Sequence, residues 1–179
     1  MKFAYLIGEP GVGKTTLMNA VITGLPWFEA SRPFKHLVFD LPNGTLAAHL
    51  GPYRPPFSGT DGLSMSVQPQ VVDWMGALCP YEIVVGEGDR LANPSFFEAT
   101  GATVVLVEAA DGVAAERRNS RAAREGKAQN ESWVAGRVTK VANLRPYVQF
   151  VVDSEAPLAD QLDILRGVPA FTEILEGRA

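Results

Sequence analysis

Short, continuous apolar runs alternate along this chain with stretches whose apolar residues recur at helical spacing. Phe3-Ala4-Tyr5-Leu6-Ile7 is the first run. Others follow at 36–40 (His-Leu-Val-Phe-Asp), 81–86 (Tyr-Glu-Ile-Val-Val-Gly), 103–108 (Thr-Val-Val-Leu-Val-Glu) and 148–152 (Val-Gln-Phe-Val-Val). Runs that lack polar alternation suit parallel strands covered on both faces. Between the runs the period lengthens. Leu17, Val21 and Leu25 share one face of a helix over residues 15–25, which Gly24 and Pro26 stop. Val71, Trp74, Met75 and Leu78 mark a second helix over 70–78, with Pro80 after it. Asn93 as N-cap with Pro94 behind it starts a third, and Leu158, Leu162 and Leu165 mark a fourth after Pro157. Strands alternating with helices predict an α/β fold, a five-stranded parallel sheet flanked by helices. Ligands of such sheets bind beyond the carboxyl ends of the strands. That expectation puts the turn after the first strand, Asp40, Glu87, Glu108 and Asp153 on one edge. The stretch 41–66 is rich in Pro, Gly and aromatics and reads as a long irregular loop, a type that is often functional.

The turn after the first strand carries the most specific chemistry. Gly8-Glu9-Pro10-Gly11-Val12-Gly13-Lys14-Thr15 matches G-x-x-x-x-G-K-[ST] in full, between a predicted strand and a predicted helix. Its glycines let backbone amides turn inward around phosphate oxygens, and the helix N-terminus adds a partial positive charge. Lys14 can reach the β- and γ-phosphates, the Thr15 hydroxyl can ligate Mg²⁺, and Thr16 closes the turn. The expected ligand is a nucleoside triphosphate with Mg²⁺.

Composition narrows the picture only slightly. A chain of 179 residues predicts a single domain. No apolar run approaches the roughly 20 residues of a membrane span, and the immediate entry into strand and P-loop leaves no room for a signal peptide, so a cytoplasmic location is expected. The lone Cys79 excludes an internal disulfide, and His36 and His49 lack partners at zinc-ligand spacing. A net charge of −4 argues against a general nucleic-acid coat. The charge is segregated, however. Residues 115–145 hold eight cationic side chains and three carboxylates, a local +5 that leaves −9 elsewhere. That asymmetry suggests a local anion site.

Other P-loop classes lack their signatures here. The Asn-Lys-x-Asp guanine reader of regulatory GTPases is absent, as is the apolar strand ending in Asp-Glu of AAA-type ATPases. Three later segments resemble small P-loop kinases. Val84-Val85-Gly86-Glu87-Gly88-Asp89-Arg90-Leu91 resembles the third-strand acid of nucleotide and small-molecule kinases, which implies Glu87 as the group that holds Mg²⁺ or its waters. Arg117, Arg121 and Arg124 fall at i, i+4 and i+7, on one helix face. They resemble the arginine-bearing lid of these kinases, here about 112–145, which neutralises charge on the transferred group. Phe150-Val151-Val152-Asp153-Ser154 resembles the last strand and loop beside the adenine, which implies Asp153 and Arg117 as nucleotide contacts.

A closer resemblance rests on Pro56 to Ser66 (Pro-Phe-Ser-Gly-Thr-Asp-Gly-Leu-Ser-Met-Ser), Gly86 to Leu91, and Gly136 to Leu144 (Gly-Arg-Val-Thr-Lys-Val-Ala-Asn-Leu). These pieces are similar to phage-encoded P-loop kinases, some of which phosphorylate 5-hydroxymethyluracil within DNA. The resemblance implies a host-cytoplasm location and a DNA partner held by weak, local contact. A primary hydroxyl acceptor needs a carboxylate within hydrogen-bond reach, and Asp61 and Asp40 are the candidates; Asp40 could instead bind the metal. A base out of its stack needs stacking surfaces, for which Tyr53, Phe57 and Trp133 are candidates, with Asp89 and Arg90 beside them. Arg54, Arg32 and the +5 segment could meet the phosphate backbone. A kinase for a free nucleoside or nucleoside monophosphate, and a nucleotide-binding switch or ATPase without kinase activity, are the competing readings.

Overall fold

The computed structural model describes residues 1–52, 59–126 and 130–177. A single sheet of seven strands runs through it: β1 (Lys2–Ile7), β2 (Trp27–Ala30), β3 (His36–Asp40), β4 (Leu46–Leu50), β5 (Ile83–Glu87), β6 (Thr103–Glu108) and β7 (Val148–Asp153), in the order β2-β3-β4-β5-β1-β6-β7. The five strands from β4 to β7 are mutually parallel. β3 is antiparallel to both β2 and β4. The α/β expectation holds, with seven strands in place of five and a reversed strand near one edge.

Helices cover both faces: α1 (Lys14–Ile22), α2 (Gln68–Asp73, continued by a wider turn over Trp74–Leu78), α3 (Pro94–Thr100), α4 (Val113–Glu125), α5 (Glu131–Leu144), α6 (Leu158–Arg166) and α7 (Pro169–Glu176). On one face α1, α6 and α7 bury Leu17, Met18, Val21, Leu165, Phe171 and Ile174 against alternate residues of the strands. On the other, α2 and α3 bury Val71, Trp74, Phe96 and Phe97 with Phe3 and Tyr5 of β1. Phe3, Tyr5 and Phe96 meet edge to face, with centroids 5.9 to 6.1 Å apart, a geometry that suits the ring quadrupoles. β1 is the middle one of the five parallel strands, so its carboxyl end, where the glycine loop begins, lies midway along their common edge. Among the described residues no helix is long and apolar enough to cross a membrane.

The reversal of β3 comes from a tight turn. Leu41 N–H donates to the Thr45 carbonyl at 3.0 Å, Thr45 N–H donates to Asn43 Oδ1 at 2.9 Å, and Gly44 takes a φ of 82°. Asn-Gly at such a position favours a hairpin. The chain therefore turns straight back after Asp40 into β4, and no helical crossover follows. Asp40 pairs with Leu46, the first residue of β4. It stands at the amino-terminal end of the parallel strands, on the edge opposite the glycine loop.

Candidate active site

The loop Gly8–Gly13 leaves β1 and enters α1 through Gly13, whose φ of 108° is open to glycine at little cost. At two of its glycines the packing is too close for a side chain. A Cβ on Gly8 would stand 2.2 Å from the Val107 carbonyl oxygen, and one on Gly11 would stand 2.6 Å from that of Ala114. Lys14 folds back over the loop and donates to the carbonyls of Gly8 (2.8 Å) and Glu9 (3.0 Å). Burial lowers its pKa, while Glu87, Asp61 and Asp89 pull it upward. A lysine held at the mouth of a ring of amides is what a polyphosphate requires.

Next to the loop, the tip of β5 supplies an acid. Glu87 is buried and accepts a hydrogen bond from Thr15 Oγ1 at 2.9 Å. Burial pushes its carboxyl up to about 7, against the pull of Lys14 and the Thr15 hydrogen bond. A hydroxyl and a carboxylate at the entry to α1 are hard oxygen donors and fit Mg²⁺, which takes few protein ligands and completes its shell with phosphate and water. Thr15 and Glu87 would hold it; Asp40, on the far edge, would not.

A short helical turn, Gly59–Gly62, is drawn against this strand tip. Thr60 Oγ1 donates to the Glu87 carbonyl at 2.9 Å and lies 2.6 Å from the buried hydroxyl of Tyr5. Two glycines permit the approach. A Cβ on Gly59 would lie 2.7 Å from the Glu87 carbonyl oxygen, and one on Gly88 would lie 2.8 Å from Thr60 Oγ1. Asp61 is fixed as a result: its Oδ1 accepts the backbone N–H groups of Asp89 (2.8 Å) and Arg90 (2.9 Å). Arg90 donates in turn to the Asp61 carbonyl at 3.3 Å, which makes it a support for Asp61.

The basic segment forms two helices over these groups. On α4, Arg117 donates to the Val12 carbonyl (3.0 Å) and to Ser154 Oγ (2.9 Å), and Arg118 donates to the Pro10 carbonyl (2.5 Å). On α5, Arg137 and Lys140 pair with the Asp89 carboxylate at 2.9 and 3.0 Å, and Lys140 also donates to the Asp89 carbonyl. The Arg137 guanidinium lies over the Trp133 ring, 5.1 Å from its centroid. The three segments 59–66, 86–91 and 136–144, distant in sequence, thus meet through Asp61, Asp89, Arg137 and Lys140.

Two connected spaces result. A cleft of about 470 Å³ runs from Gly11–Thr16 past Arg117, Arg121 and Arg124 to Ser154, Leu158 and Gln161. A smaller pocket of about 230 Å³ lies on the other side of Lys14 and Thr15, bounded by Asp61, Glu87, Asp89, Arg121, Trp133 and Arg137. Lys14, Thr15 and Arg121 border both. Glu9 turns its carbonyl to Lys14, and Gly8 and Pro10 border the smaller pocket.

Two expected residues fall elsewhere. Asp40 is on the opposite edge, for the reason given above. Asp153 accepts the Glu155 N–H and closes its own turn, so Ser154 borders the cleft in its place. Tyr53, Arg54 and Phe57 lie outside the described residues. Four residues that border or brace the site escaped the sequence reading as such: Ser154, Gln161, Arg137 and Lys140. The last two carried a signal, since they share a helix face with Trp133 at i+4 and i+7.

The fold, with its glycine-rich loop, the acid at the neighbouring strand tip and the arginines of α4 beside them, is that of a P-loop kinase. The chain belongs to the P-loop Nucleotide Kinase3 family, whose model matches residues 1–177. No match is found among curated proteins. A gluconokinase from Sinorhizobium meliloti 1021 shares the fold, at a TM-score of 0.51 and 18% identity over 99% of this chain and 95% of that one.

Proposed function

We propose that this kinase transfers the γ-phosphoryl group of ATP to a hydroxyl on a nucleobase in DNA, the hydroxymethyl group of 5-hydroxymethyluracil. The observation that carries the reading is the placement of Asp61, fixed by two amides in a pocket that shares Lys14, Thr15 and Arg121 with the nucleotide cleft. A carboxylate so placed can take the proton of an acceptor hydroxyl. As that oxygen bonds to the γ-phosphorus, the bond to the β-phosphate oxygen breaks and ADP is released. Lys14 and Arg121 border the space between donor and acceptor, where negative charge spreads during transfer. Bound Mg²⁺, held through Thr15 and Glu87, would neutralise charge on the β- and γ-oxygens.

The acceptor side favours a neutral group over a phosphomonoester. Both of its α5 cations, Arg137 and Lys140, are engaged by Asp89, and Asp61 and Glu87 add further negative character. Trp133 and the Arg137 guanidinium offer a stacking surface for a pyrimidine at the mouth. The test is transfer of label from γ-labelled ATP to four acceptors: free nucleosides, nucleoside monophosphates, unmodified DNA and DNA containing 5-hydroxymethyluracil. Label on the modified DNA alone supports the reading. Label on a free nucleoside or monophosphate, with modified DNA untouched, replaces it with a nucleotide-metabolism kinase.

A further inference from the structure

The cleft has an end that the acceptor pocket does not share. Gly11, Lys14, Thr15 and Arg121 border both spaces, whereas Leu17, Ser154, Leu158 and Gln161 border the cleft alone. With the phosphates at the glycine loop, the nucleoside end falls among these four. Leu158 is half exposed there, and Arg117, which lines the same cleft, is held by Val12 and Ser154. An apolar side chain and a fixed guanidinium in one cleft lining offer surfaces on which a flat ring can pack.

Gln161 is the polar side chain at that end of the cleft with the capacity to read a base edge. It is one of few polar side chains buried among the described residues, at 9% exposure. Its Nε2 donates to the Ala156 carbonyl at 2.8 Å, which hooks the side chain over the start of α6. A carbonyl only accepts, so this bond fixes which end of the amide is nitrogen and which is oxygen. Among the described residues Oε1 has no hydrogen-bond partner, and the side chain borders the cleft. Oε1 is not sealed off with the buried atoms of the protein, so a donor on a ligand in the cleft can reach it.

We infer that Gln161 reads the base of the nucleotide and makes the cleft selective for adenine over guanine. The inference rests on the reading of the cleft as a nucleoside triphosphate site. Oε1 can accept from the exocyclic 6-amino group of adenine, and the second Nε2 hydrogen can serve a ring nitrogen, the pairing by which a glutamine amide matches adenine. Guanine presents a carbonyl oxygen at the same position, so two acceptors would face each other. Flipping the amide to suit guanine would turn Oε1 onto the Ala156 carbonyl and lose the bond that anchors it. The anchor therefore converts a side chain that could serve either base into one that serves adenine.

The test needs no acceptor and no turnover. Affinities of the intact protein for ADP, GDP, the diphosphate of unsubstituted purine riboside, and pyrophosphate would be measured by calorimetry. ADP is expected to bind about tenfold or more tighter than GDP and than the unsubstituted purine. In Gln161→Met, which keeps the volume, the three nucleoside diphosphates should bind alike while pyrophosphate affinity is unchanged. Equal binding of ADP and the unsubstituted purine to the native protein would overturn the inference, as would an unchanged ADP preference in the variant. The purine comparison stands even if the variant fails to fold. Because phosphoryl transfer is not read, failure of the kinase reading would show separately, as nucleotide binding with no labelled acceptor.

Discussion

In the proposed reaction Lys14, Asp61 and Arg121 divide the chemistry, and each division has its own kinetic signature. Lys14 is set on the loop carbonyls of Gly8 and Glu9, next to the place where phosphate charge develops. Lys14→Ala should lower transfer by at least about 10²- to 10³-fold, the cost of losing one such electrostatic group. Asp61 touches the acceptor side alone. Asp61→Asn should lower kcat by about 10²- to 10⁴-fold, the usual contribution of a general base, with ADP affinity unchanged by calorimetry. A fall in ADP affinity of the same size would instead place Asp61 with the donor. Arg121 borders both spaces. Arg121→Ala should reduce kcat more than nucleotide affinity, and a change in affinity alone would remove it from the lid. Glu87 and the arginines Arg117, Arg121 and Arg124 could be singled out in the sequence because each rests on short-range spacing beside a recognisable strand or helix, whereas Asp61, in an irregular loop, came with Asp40 as an alternative and only through the family resemblance. Gln161 and Ser154 could not be singled out. Their meaning depends on the turn after β7 and on α6, which come to lie beside α1 from more than a hundred residues away.

At the scale of elements, the acceptor pocket depends on how closely the turn 59–62 can approach the tip of β5. Gly88 has a φ of 117°, and a Cβ there would stand 3.1 Å from the Asp61 carboxyl carbon. Gly88→Ala should therefore cost roughly 1–3 kcal/mol in stability through backbone strain alone. It should also lower kcat by displacing Asp61, while α1 and the glycine loop keep their nucleotide affinity. A variant with native kcat would show that Asp61 is not positioned by this contact. The sheet shows what periodicity reveals and what it hides. The four parallel strands β1, β5, β6 and β7 are long apolar runs and could be read directly. β2 is only four residues, with Trp27 and Phe28 exposed. β4 reads Leu-Ala-Ala-His-Leu, with two alanines of low strand preference. With β4 unseen, β3 was assigned the common parallel direction, and Asp40 was placed on the wrong edge. Asn43-Gly44 was the local signal of the hairpin that reverses it.

Over the whole molecule, two buried ionisable groups set opposing responses to pH. Burial raises Glu87 to about 7 from its ordinary 4.5. Between those values the folded protein keeps a proton that the unfolded chain has lost, so this group's contribution to stability falls as pH rises. Burial lowers His49 to about 4 from 6.5. Between those values the unfolded chain holds a proton that the folded protein lacks, so stability rises with pH. The windows overlap from about 4.5 to 6.5, where the slopes offset each other. Glu87→Gln should expose the His49 slope: without added metal or nucleotide, the melting temperature of the variant should climb more steeply than that of the native protein across this range. Parallel profiles would contradict the assignment of a raised Glu87. The central claim concerns the partnership of the glycine loop with Asp61 across one acceptor. Its most direct test is single-turnover transfer from γ-labelled ATP to an oligonucleotide bearing one 5-hydroxymethyluracil, with native protein and with Asp61→Asn, followed by digestion and mass analysis of the released nucleoside. The account predicts a phosphorylated hydroxymethyl group with the native protein, and its near absence with the variant at undiminished nucleotide affinity. An unmodified nucleoside from the native reaction, or equal transfer by both proteins, would contradict it.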